Sequence, residues 1–158
     1  MKKSTKFIIA LLVTVGALAI TYRVVNQAPS KDLAADAQMQ EIITSGGCLQ
    51  CHSGSPDLPF YANWPVASGM VQKDVTQGYR AFDMTEMAEA LKAGKPVGKV
   101  ALAKVEKVIM DGTMPKHAYY MVHWGSSVTD AKKEMAMAWV KQHRLAHYVN
   151  GLAAAEFA

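Results

Sequence analysis

Cysteine is scarce in this chain: Cys48 and Cys51 are the only two among 158 residues. A zinc ribbon or knuckle needs four ligands, and the other two cysteines of such a site are missing. No stretch alternates convincingly between apolar and polar residues, so the strand expected before a thioredoxin-like dithiol is missing as well. Basic excess is also absent where it would count. Of the 17 basic residues, Lys2, Lys3, Lys6 and Arg23 lie in the first segment, which leaves 13 against 13 acidic residues in the rest. A domain of balanced charge lacks the basic footprint of a nucleic-acid binder, so no nucleic-acid partner is expected. Without repeats or a second linker, the sequence divides into residues 1–30, a leader and short exit, and residues 31–158, one compact domain.

What is present is the run Cys48-Leu49-Gln50-Cys51-His52. Two thiols three positions apart can each form a thioether to a haem vinyl group, and the adjacent imidazole then reaches the iron from below. The motif occurs once, so one covalent haem c is the expected cofactor, with Cys48, Cys51 and His52 as binding residues and His52 as an iron ligand. The other ring nitrogen of His52 should donate to a backbone carbonyl, and loop carbonyls near Pro56 or Pro59 are candidates.

The N-terminus points to the compartment. Lys2, Lys3 and Lys6 precede an apolar run that continues through Tyr22 to Val25, the n-region and h-region of an export signal. Ala17-Leu18-Ala19 offers a cleavage site, while the length of the run suits a retained anchor of ~17–25 residues. Retention is the expectation, with the domain on the periplasmic side of a bacterial inner membrane; a soluble periplasmic protein after cleavage is the alternative.

Helical signals fill the remainder. Asp32–Thr44 carries Ala35, Met39, Ile42 and Ile43 on one face and stops at Gly46-Gly47. Val71–Gly78 is a short helix, and Asp83 with Glu86 forms a capping box before the stripe Met84, Met87, Ala88, Leu91. Lys99–Asp111 presents Leu102, Val105 and Ile109, with Gly112 past its end. A longer helix starts at Thr129 or Asp130, runs to about Val149, and buries Met135, Ala136, Trp139 and Val140. The aromatic loop Ser53–Gly69 is expected to pack against the haem. The fold class is all-α, a helical domain wrapped around a prosthetic group.

The sixth iron position has four candidates. Met114, before Pro115, lies in a loop, whereas Met84, Met87, Met110, Met135 and Met137 fit helical stripes. A thioether favours reduced iron, so Met114 is the expected ligand and the second metal-binding residue. His117, His123 and an open position are the others. His143 and His147, on the last helix, are expected to face solvent.

The helix, the cysteine–histidine motif, Met114-Pro115 and a terminal helix with Trp139 together resemble a class I cytochrome c. More specifically, Cys48-Leu49-Gln50-Cys51-His52-Ser53, Pro59-Phe60-Tyr61, Trp64-Pro65-Val66 and Gly78-Tyr79-Arg80-x-Phe82 resemble the small haem-binding domain family of exported bacterial proteins. Met114-Pro115 with Tyr119, and His123 before Thr129-Asp130-x-Lys132-Lys133-Glu134, extend that likeness over about residues 35 to 142. Members occur alone or joined to dihaem peroxidase domains, and this chain departs from the joined form by ending at Ala158. The resemblance implies electron delivery to a dihaem peroxidase or another periplasmic acceptor.

The functional expectation is therefore a monohaem electron carrier with His/Met ligation and no enzymatic activity of its own. It would pass electrons from a membrane quinol oxidoreductase to such an acceptor. The alternatives are a haem enzyme that reduces peroxide through an open or displaceable sixth position, and a haem-based sensor of small ligands.

Overall fold

The computed structural model describes residues 3–156, with side chains from 4 to 150. Lys2 of the charged leader, with Phe157 and Ala158, lies outside the described residues. Among the described residues there are seven α-helices: α1 (Lys3–Val25), α2 (Ala35–Ser45), α3 (Ser68–Ala81), α4 (Thr85–Lys92), α5 (Lys99–Asp111), α6 (His117–Val122) and α7 (Asp130–Glu156). Single 3₁₀ turns span Cys48–Gln50, Phe60–Asn63 and Trp124–Ser126. No strand occurs among the described residues, so the chain is an all-α helix bundle preceded by one apolar helix. Ser4–Val25 spans 22 residues at a mean hydropathy of 2.2 and is unburied, which suits a membrane anchor or an export signal.

Local chemistry explains where the boundaries fall. Asp32 belongs to a turn rather than to α2, because its N–H donates to Ser30 Oγ and Leu33 N–H to the Ser30 carbonyl. Helix α3 is longer at both ends than the short segment its pattern suggested. The capping box at Asp83 is not formed: Asp83 Oδ1 accepts from Thr85 N–H at 2.9 Å, and α4 starts at Thr85. Helix α5 has the expected bounds and ends at Gly112, whose φ of 61° closes the last turn without a Cβ penalty. Helix α7 begins at Asp130 and continues past Val149.

The core lies where α2, α4, α5 and α7 meet. Met39, Ile43, Met87, Leu91, Leu102, Val105 and Val140 surround Trp139, which is almost wholly buried. Trp139 Nε1–H donates to Asp36 Oδ1 at 2.8 Å, so the indole reaches a partner on α2 rather than leaving a buried donor unpaired. His143 Nε2–H donates to the same oxygen at 2.7 Å, and His147 Nε2–H to the Val97 carbonyl at 2.7 Å. The solvent-facing reading of both histidines is thus corrected. They follow Trp139 at steps of four and share its inward face. Met110 also departs from its expected stripe, because the residue after Ile109 is rotated out of the seam and stands exposed.

Candidate haem-attachment site

Two glycines set the geometry of the cysteine motif. Gly46 N–H caps α2 on the Ile42 carbonyl at 2.9 Å, and a Cβ there would stand 2.9 Å from that same oxygen. Gly47 adopts φ 65°, and any side chain on it would collide with the Tyr119 hydroxyl. The chain then tightens into one turn. Cys51 N–H and His52 N–H both donate to the Cys48 carbonyl, at 3.2 and 3.0 Å, which gathers both thiols and the imidazole within a single short segment. Helix α3 closes in from the side at Gly78, where a Cβ would lie 2.5 Å from the Cys51 carbonyl oxygen.

His52 is held at two points by the segment between α3 and α4. Its Nδ1 lies 2.8 Å from the Phe82 carbonyl oxygen. A carbonyl can only accept, so Nδ1 carries the proton and Nε2 is the ring nitrogen left with a lone pair. The His52 carbonyl in turn accepts from Met84 N–H at 2.7 Å. The acceptor is therefore Phe82, thirty positions along the chain, and not a carbonyl near Pro56 or Pro59.

Burial pushes the Cys48 thiol up to about 11 and also raises that of Cys51, with the charge of Asp74 adding to the latter. These are the opposite of the depressed values that activate a dithiol redox centre. Lys132 is buried beside Cys48; its Nζ donates to Ser45 Oγ at 3.3 Å, and burial lowers its pKa.

Met114 is half-buried in the loop between α5 and α6, joined to Pro115 by a cis peptide bond. The loop is tied to α3 by Lys116 and Asp74, 2.6 Å apart, whose charges both reach the Cys51 thiol. Around the motif runs an aromatic array. Tyr119 O–H donates to Gln50 Oε1 at 2.8 Å, and its ring stacks on His123 at 3.8 Å. His123 Nδ1 faces the Tyr119 carbonyl at 3.2 Å and so donates, leaving Nε2 to accept from Tyr61 O–H at 3.0 Å. Both nitrogens of His123 are thus engaged. Burial raises Tyr61 and pushes Tyr119 up to about 12, so both phenols keep their protons. His117 is exposed, with its ring edge on Tyr120. Of the aromatic loop, Tyr61 and Ala62 pack inward, while Phe60 and Trp64 are exposed and meet edge to face.

The motif therefore brings Cys48, Cys51 and His52 together, and the Asp74–Lys116 tie holds the Met114 loop in their neighbourhood. Sequence reading missed the Phe82 carbonyl, the Tyr61–His123 pair and buried Lys132. Tyr119 and His123, four apart, carried the one signal that could have exposed part of this array.

The sequence profile of the haem-binding domain family matches residues 7–142. The chain is also 34% identical over 110 residues to the cytochrome c peroxidase Ccp of Escherichia coli strain K12, a match covering 70% of this chain and 24% of that protein. The chain thus spans about a quarter of the length of the curated relative it matches. No solved structure matches. The match to a peroxidase overturns the expectation of a protein without enzymatic activity, and a haem-associated redox role stands in its place. With the family profile spanning most of its length, the chain belongs to the haem-binding domain family.

Proposed function

We propose that the chain binds one haem c through Cys48 and Cys51, with His52 Nε2 as the lower iron ligand, and uses it in the reduction of peroxide on the periplasmic side of the membrane. The observation that carries this reading is the fixed tautomer of His52. A protonated Nδ1 held by the Phe82 carbonyl presents Nε2 as a ligand and raises its basicity. The donor set fits the group: two thiols and one oriented imidazole in a single turn, within an all-α helix bundle. When bound, haem c would supply a redox-active iron able to pass electrons to peroxide.

The other residues perform the supporting tasks. Met114, on a short loop tied to α3 by Lys116 and Asp74, is the residue that would hold the iron opposite His52 and give way to peroxide. His123 Nε2 is a proton acceptor already hydrogen-bonded to Tyr61, the acid–base function that cleavage of a peroxide bond requires. Tyr119 stacks on His123 and holds it in register with Gln50 of the motif. A second reading, relay of electrons into a separate peroxide-reducing module, is favoured by one observation: the matching segment is only a quarter of the E. coli peroxidase.

Peroxide consumption by the purified haem-loaded chain with a reduced small-molecule donor separates the two. Turnover that falls by ~10²–10⁴-fold in His123→Gln at unchanged haem content is the outcome expected of peroxide reduction at this haem. A wild type that consumes no peroxide alone, yet is rapidly oxidised when a dihaem peroxidase is added, would instead establish the relay.

A further inference from the structure

The apolar helix does not simply end and let go of the bundle. Its last turn is bound to the Trp124–Ser126 turn by a set of specific contacts. Asn26 is 3% exposed, an unusual burial for an amide at the end of an exposed helix. Its Nδ2–H donates to the Trp124 carbonyl at 2.6 Å, and its Oδ1 accepts from Ser127 N–H at 2.8 Å. Tyr22 and Ser127 share a hydroxyl–hydroxyl hydrogen bond of 2.7 Å. Gly125 lies against Val25, where an added Cβ would sit 3.4 Å from the Val25 carbonyl oxygen.

These contacts fix depth as well as orientation. At ~1.5 Å per residue, the 22 residues of Ser4–Val25 are about as long as a ~30 Å hydrocarbon core. Tyr22 and Asn26 then stand at the level of the lipid head groups, and whatever they hold stands there too. What they hold is continuous with an apolar surface: Met121 is 80% exposed, Val122 63% and Trp124 47%. A tryptophan beside a tyrosine at the end of a spanning helix is the side-chain chemistry favoured at a membrane interface.

We propose that the Met121–Trp124 face rests in the interfacial zone of the membrane that holds α1. Asn26 and Tyr22 act as the clamp, so that the anchor and the haem-binding bundle move as one body. The occupant of this apolar face is the lipid surface itself. The proposal rests on retention of α1 and is independent of what the haem does. Helix α6 and the Met114 loop that precedes it are thereby turned toward the bilayer rather than toward open solvent.

A spin label distinguishes the cases. With haem attached at Cys48 and Cys51, Met121→Cys supplies one free thiol on the full chain. Leu145→Cys supplies a control ~22 Å along α7 from its start at Asp130, next to the clamp. Both are reconstituted in vesicles of phosphatidylethanolamine and phosphatidylglycerol and compared in the same redox state. Accessibility to molecular oxygen relative to a water-soluble nickel chelate is the readout. The label at 121 should show a ratio several times that at 145. Asn26→Ala should lower it toward the control, and the milder Tyr22→Phe should lower it partway, with haem content certifying the fold.

A label at 121 that is as open to the nickel chelate as the control, in protein that stays in the vesicles, would overturn the proposal alone. Inaccessibility to both reagents would also overturn it, since protein or haem would then cover the face. A ratio unchanged in both clamp variants would remove the clamp. Release of the chain from vesicles by alkaline carbonate would overturn anchor and proposal together.

Discussion

Two regions of this bundle are held together by different means. Where α2 crosses α7, closure is apolar and self-sufficient: Trp139 fills the seam, and Asp36 accepts from both Trp139 and His143 at one oxygen. Around the cysteine motif closure is polar and depends on glycines. Half-buried thiols, a backbone carbonyl on His52 and stacked Tyr119 and His123 hold the segment, with Phe60 and Trp64 left exposed nearby. The first region can order itself from its own side chains. The second is held by single polar contacts between segments far apart in sequence, with little apolar packing behind them.

The sharpest break between the two should come from Cys48→Ser with Cys51→Ser. Covalent haem should be lost entirely, measured as haem remaining with denatured protein, while the α2–α7 seam keeps its contacts. Haem still covalently bound in the double variant would refute the role of both thiols. Trp139→Ala attacks the other side. Truncating a buried tryptophan costs ~3–5 kcal/mol, and here it also deprives Asp36 of a donor. The midpoint of urea unfolding should fall accordingly, with a much smaller change in haem potential. An unchanged midpoint would show that the crossing is not the structural centre.

Lys132→Met tests the border between them. Lys132 is buried with one long hydrogen bond, and burial lowers its pKa. Replacing a poorly compensated buried charge by an apolar chain of similar length should stabilise the fold at neutral pH by ~1 kcal/mol. A lysine whose folded pKa is depressed is protonated more fully in the unfolded chain, so the wild type gains stability as pH rises from the folded value toward ~10.4. The variant's advantage should therefore shrink through that window. A constant advantage at alkaline pH would mean the ammonium is not the cause.

How much of this was legible in the sequence follows the same division. Helix α5 could be read to its end residues because Leu102, Val105 and Ile109 repeat at helical spacing and Gly112 stops them. The closeness of Cys48, Cys51 and His52 could be read because it is local: three side chains in five positions. The contacts that make a site of it are not local. The Phe82 carbonyl carries no residue-type signal, since every residue has one, and only the turn between α3 and α4 brings it to His52. His143 and His147 were misread for another reason. Polar residues near a terminus suggest solvent, and the period of four that ties them to Trp139 outweighs that suggestion. The clamp at Asn26 likewise depends on a partner about a hundred positions away.

Gly47 gives position 47 an influence out of proportion to its size. Any side chain there must drive the Tyr119 hydroxyl from its place, and Tyr119 is stacked on His123, which is bonded to Tyr61. A methyl group at this point would thus be felt along a row of aromatic rings, much as one misplaced tooth disturbs a whole gear train. The alphabet available at position 47 is one letter long, and that letter is set by a ring more than seventy residues away.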